Sequence, residues 1–101
     1  MIVAHLGAPE YGEFLDLAGR YPGVHLDTTM VFTGFLEQLA PFPAALRPRL
    51  AAAGSRILLG SDFPNIPYPY LDQLEALARL DFGAAWLRAV RHDNAVRLLG
   101  L

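Results

Sequence analysis

Three short apolar runs, set apart by longer stretches with helical spacing, constrain this chain more than any other feature of it. They are Ile2 to Leu6, Val24 to Thr28 and Arg56 to Gly60. Each closes on or near a titratable side chain: His5 in the first, Asp27 late in the second, and Asp62 just after the third. Strands separated by helices pair in parallel through right-handed crossovers. The pattern therefore predicts an α/β fold of three consecutive βα units. Three such units bury their strands only if something covers both faces of the sheet.

The intervening stretches read as helices. Pro9 suits a first turn, and Tyr11, Phe14, Leu15, Leu17 and Ala18 recur near helical spacing up to Tyr21. Phe32 to Leu39 is a short helix broken by Pro41 and Pro43, and Leu46 to Ala53 is another, ended by Gly54 at a C-cap position. Tyr70 to Leu80 carries an apolar stripe of Leu71, Leu74, Leu77 and Ala78. Phe82 to Leu99 carries Trp86, Ala89, Val90, Val96 and Leu99, with Arg88, Arg91 and Arg97 on the opposite side. Residues 1–101 read as a single α/β segment, with no short repeat and no low-complexity linker.

Composition narrows the function classes. The chain has 101 residues, 53% hydrophobic and 18% charged, which excludes a disordered chain and allows one domain. Its formal charge of −2 is spread without runs, so neither nucleic acid nor an anionic membrane is an expected partner. All eight basic residues are Arg, which rules out a phosphate-cradling lysine. Cysteine is absent, removing disulfides, thiolate nucleophiles and cysteine zinc sites together. The start, Met1-Ile2-Val3-Ala4-His5, has no basic leader, and no apolar run approaches the ~20 residues of a membrane span. A cytoplasmic protein is expected. A mean hydropathy of +0.29 is high for so small a chain and suggests a surface meant for something else.

In parallel α/β folds, chemistry collects at the carboxyl ends of the strands. Asp62 leaves the apolar segment Leu58-Leu59-Gly60-Ser61. A carboxylate there needs a cation, hydrogen bonds or a proton, so it is read either as a metal ligand or as a loop acid. His5 is read as a ligand or general acid/base, or equally as a buried histidine bonded to backbone. Asp27 shares strand parity with His25 and is a candidate substrate-binding group beside His5, with His25 lying deeper along the strand or outward. Gly7 is taken as a turn, although it would also let backbone approach a ligand. Thr28, Thr29, Tyr68 and Tyr70 could bond a substrate but suit loops, Trp86 suits the core, and His92 suits solvent. Phosphate-binding glycine loops, Gly-x-Ser-x-Gly, His-x-His and His-Glu-x-x-His are all absent.

Several of these segments together resemble the amidohydrolase-related metal-dependent hydrolases, in the branch similar to aminocarboxymuconate-semialdehyde decarboxylase. They are His5-Leu6-Gly7, the run from Val24 to Thr29, and above all Arg56-Ile57-Leu58-Leu59-Gly60-Ser61-Asp62-Phe63-Pro64 with Asp93-Asn94-Ala95-Val96-Arg97-Leu98-Leu99 further on. The resemblance implies a (β/α)8 barrel of which this chain matches the last three units. It implies that Asp62 ligates a divalent metal, zinc or manganese, and that His5 is an acid/base or a second ligand. Asp27 then shapes the substrate site, and Asn94 is structural. The implied reaction is hydrolysis or decarboxylation of a small carboxylate, lactone or amide.

The histidines that this family carries on earlier strands have no counterpart here. A metal held by Asp62 and His5 alone lacks the three or four protein ligands of a catalytic zinc site. The chain alone is therefore expected to be incomplete, working as a homo-oligomer or completed by another chain. The alternative is a non-catalytic α/β remnant serving as an oligomeric or interaction module. A small flavodoxin-like binding domain fits poorly, with three strands and no phosphate loop.

Overall fold

The computed structural model describes residues 1–60 and 69–100. Three strands form one parallel sheet in sequence order: β1 (Ile2–Val3), β2 (His25–Asp27) and β3 (Ile57–Leu58). Ile2 pairs with His25, Val3 with Leu26, Leu26 with Ile57, and Asp27 with Leu58. The helices are α1 (Tyr11–Arg20), α2 (Gly34–Leu39), α3 (Arg47–Ala52), α4 (Tyr70–Ala78), α5 (Ala84–Arg88) and α6 (Asn94–Leu99). A π-helical turn, Ala89–Asp93, joins the last two.

All three strands are shorter than the apolar runs that announce them. The first stops at Val3 because His5 and Leu6 take φ of 57° and 51° inside a 3-10 turn spanning Ala4–Gly7. That left-handed conformation costs about 1–2 kcal/mol per non-glycine residue. Burying Leu6 completely, together with hydrogen bonds described below, offsets the cost.

Side chains alternate across a strand and pair across the ladder, so the register defines two faces. Val3, Leu26 and Ile57 share one face; Leu26 and Ile57 belong to the main apolar cluster, with Leu15 and Ala18 of α1, Leu50 of α3, Leu77 of α4 and Trp86 of α5, and the partly buried Val3 packs against it. Ile2, His25, Asp27 and Leu58 share the other face. His25 and Leu58 are buried there, Asp27 is half-buried and Ile2 is exposed. His25 thus sits one step deeper than Asp27 on the same face. None of the described helices is long and apolar enough to cross a membrane.

The C-terminal helical segment is tied to the sheet by polar contacts as well as apolar ones. Its buried stripe is Trp86, Val90 and Asn94, whereas Leu99 is exposed. Asn94 Nδ2 donates to the carbonyls of Gly54 (2.6 Å) and Ile57 (2.7 Å), at the start of β3. Arg97 donates to Asn94 Oδ1 and to the Ser55 carbonyl. The π turn accompanies a further link, in which Leu59 N–H donates to the Val90 carbonyl at 3.0 Å. At the same end of the sheet Arg56 gathers the carbonyls of Ala18, Tyr21 and Val24, where α1 ends.

Two predictions follow from this packing. Asn94→Ala strips two buried carbonyls of their donor and should lower stability by roughly 2–3 kcal/mol. Urea denaturation checks it: the midpoint falls with the slope unchanged. His25 is held below the usual histidine range chiefly by burial, with the Gly23 carbonyl opposing and Arg56, the N-terminal amine and Arg97 adding to the lowering. The unfolded chain then binds the extra proton first. Its contribution is complete above about pH 6.5, the unfolded value, and is lost as pH falls from there toward the lower folded value. Urea midpoints measured between about pH 7.5 and 5.5, one unit either side of the unfolded value, should therefore fall with acidification, and His25→Phe should flatten that slope.

Candidate functional site

The carboxyl ends of β1, β2 and β3 bring together His5, Asp27, Thr29 and Gly60. Asp27 is the last residue of β2, and its Oδ1 turns back to accept two backbone N–H groups. One comes from Thr29 two residues on (3.0 Å), the usual reach of an Asx turn, and the other from His5 across the sheet (3.1 Å). A single carboxylate oxygen thus pins the strained start of the β1–α1 connection to the end of the neighbouring strand. Asp27 Oδ2 has no hydrogen-bond partner among the described residues.

The His5 ring is fixed from the other side of the same turn. Its Nδ1 lies 2.7 Å from the Thr29 carbonyl oxygen. A carbonyl only accepts, so Nδ1 must carry the hydrogen, and in the neutral ring Nε2 keeps its lone pair. This is the arrangement by which a histidine is prepared as a base or as a metal ligand. His5 is half-buried, so a lone pair at this position is not sealed in the core.

Gly60, just beyond β3, closes the cluster. A Cβ there would lie 2.3 Å from Thr29 Oγ1 and 3.0 Å from Asp27 Cγ, so only glycine lets the third strand end come this close. Gly60 N–H also faces Thr28 Oγ1 at 3.3 Å. Gly7 has a different task. Its φ is +79°, and the Phe14 ring fills the space where its Cβ would stand, so it serves packing and not ligand approach.

The structure therefore brings His5 and Asp27 together. Asp62, Phe63 and Tyr68 lie outside the described residues. His25 is not in the cluster: it lies deeper on the same face, with Nδ1 buried and without a partner among the described residues. His92 is exposed against Asp93, and Trp86 is core. Sequence reasoning named Thr29 for its hydroxyl and overlooked its backbone, although the Asp-x-Thr spacing of an Asx turn was available as a signal. It also passed over Gly60 as a packing site. A surface hollow along α5 and the π turn, lined by Ala84, Leu87, Arg88, Arg91 and His92, shares no residue with the strand-end cluster.

Among the described residues no three His, Asp or Glu side chains gather closely enough to hold a metal ion. His5 Nε2 fits a cation as one nitrogen donor, and Asp27 Oδ1 is already committed to two N–H groups. The described donors suit a metal in kind and fall short of it in number.

A family model described as Amidohydrolase matches residues 1–101. No curated protein matches the chain in sequence.

Gly60→Ala tests how tightly the cluster is assembled. It should displace Asp27 and Thr29, weaken the bonds at Asp27 Oδ1, and cost roughly 1–3 kcal/mol through overpacking. The amide resonances of His5 and Thr29 should move most and exchange faster with solvent. Unchanged resonances at both would contradict the close approach.

Proposed function

The chain belongs to the amidohydrolase family, and from that premise we propose that it supplies the last three βα units of a (β/α)8 barrel and part of a hydrolase or decarboxylase site. The family is one of hydrolases and decarboxylases, typically metal-dependent and built on that barrel. The observation that carries the reading is the His5 imidazole, fixed by the Thr29 carbonyl at the carboxyl end of the sheet, beside a carboxylate held by backbone N–H groups. That end is where barrel enzymes place their chemistry. The polar face of the sheet, with Asp27 and His25, would then line the barrel interior, and the face carrying Val3, Leu26 and Ile57 would meet the outer helices.

In this reading His5 Nε2 accepts a proton from, or returns one to, a small carboxylate, lactone or amide substrate. Asp27 holds the His5 main chain through Oδ1 and offers Oδ2 toward the substrate. Asp62, four residues beyond β3 in sequence, supplies a second carboxylate. Asp62 is the group that would hold a divalent cation, zinc or manganese, with His5 Nε2 a second donor only where its lone pair is not spent on the proton; when bound, the cation supplies an activated water at neutral pH. Two donors are fewer than a catalytic zinc site uses, so the remaining ligands would come from strands contributed by further polypeptide. β1 and β3 each have one strand partner among the described residues, and Met1 and Ile2 are exposed at the β1 edge, which fits completion by further strands or by a second copy. The same open edges also suit a non-catalytic interaction module.

Cation binding separates the two readings. Equilibrium dialysis of the chain against zinc should show weak uptake that drops by more than about tenfold in Asp62→Ala. Uptake that survives Asp62→Ala, or none in the unsubstituted chain, would contradict the enzyme reading and favour the module.

A further inference from the structure

Gln73 is the one large polar side chain that α4 sends wholly into the core, with no exposed surface at all. An apolar residue would suit that stripe better, since Ala76 and Leu77 beside it are buried too. Among the described residues the amide bonds to backbone groups far away in sequence. Its Nε2 donates to the carbonyls of Thr28 (2.8 Å) and Val31 (3.4 Å), and its Oε1 accepts the N–H of Met30 (2.8 Å). Those three residues bracket Thr29, the residue whose carbonyl orients the His5 ring.

The segment needs such a hold. Met30 and Phe32 have φ of 64° and 70°, a conformation that costs about 1–2 kcal/mol at each non-glycine residue. A loop kept in sparsely populated backbone conformations persists only where its surroundings over-determine it. Apolar packing of Val31 and Phe32 supplies part of that, and the Gln73 amide supplies the directional part.

We infer that Gln73 is a positioning residue for the candidate site: from α4 it clamps the turn after β2 and thereby sets the tautomer of His5 through the Thr29 carbonyl. The inference rests on the reading of His5 as a base or ligand, and it deepens that reading by adding a residue that touches neither substrate nor cation. It also couples α4, which follows the segment carrying Asp62, to the strand end carrying Asp27.

Long-range 15N NMR of the histidine rings in the full, metal-free chain tests this without requiring activity. In Gln73→Met, which keeps the volume and removes the hydrogen bonds to Thr28, Met30 and Val31, the chain should still unfold cooperatively, but His5 should lose its single Nδ1–H signature and report a mixture of tautomers. Gln73→Glu keeps an acceptor for Met30 and loses the donor to Thr28 and Val31, and should move in the same direction. Leu77→Ala, one turn along α4, should destabilise the chain while leaving the His5 signature intact. A folded Gln73→Met with His5 still wholly Nδ1–H overturns the inference. So does failure of both Gln73 variants to fold, which makes Gln73 a residue of the core alone. Cation uptake is not read in this experiment, so its failure and that of the enzyme reading remain distinguishable.

Discussion

One carboxylate oxygen, Asp27 Oδ1, accepts the N–H groups of His5 and Thr29, and most of what is distinctive here depends on that pair of bonds. They hold His5 in a left-handed conformation that its own backbone disfavours, and they curl the chain after β2 so that the Thr29 carbonyl meets the imidazole. Hydrogen bonds to an ionised acceptor are about twice as strong as neutral ones. Without them the turn at Ala4–Gly7 would lack a reason to leave the strand where it does. The strain at His5 and Leu6 is thus stored at the strand end that carries the candidate chemistry, a common location for it.

The sheet explains why this cluster faces one way. In parallel register every second residue shares a face, so placing Leu26 among the helices places Asp27 and His25 opposite them. The face of Val3, Leu26 and Ile57 packs against the helices, and the opposite face carries the candidate site at its carboxyl end. Asn94 and Arg97 fasten the C-terminal helical segment to the start of β3, and the Leu59–Val90 link fastens its end. Gly60 follows directly from that anchored strand, with Asp62 two residues further on in sequence.

Much of this was legible in the sequence. The strand number and order, the helix positions, the burial of Tyr11, Leu15, Ala18, Trp86 and Val90, and the meeting of His5 with Asp27 all follow from periodicity and strand-end logic. What escaped it has specific causes. An apolar run extends as far as its residues are apolar, whereas β1 ends where hydrogen bonds to Asp27 turn the chain. The apolar pattern runs the α4 stripe through Leu71, which is exposed, because hydropathy assigns no burial to a glutamine that bonds to backbone groups more than forty residues away. The terminal stripe was carried to Leu99, also exposed, where the chain instead buries Asn94 beyond a π turn that a regular helical period does not anticipate. Whether Asp62 joins the cluster was legible only as an expectation, since it lies outside the described residues.

The central claim is that the fold prepares His5 for chemistry by fixing its ring. Long-range 15N NMR of the unsubstituted chain, at a pH where the ring is neutral, reads that directly. A single tautomer with hydrogen on Nδ1 and the lone pair on Nε2 is the result predicted by the Thr29 contact. An Nε2–H tautomer, or an even mixture of the two, would contradict it.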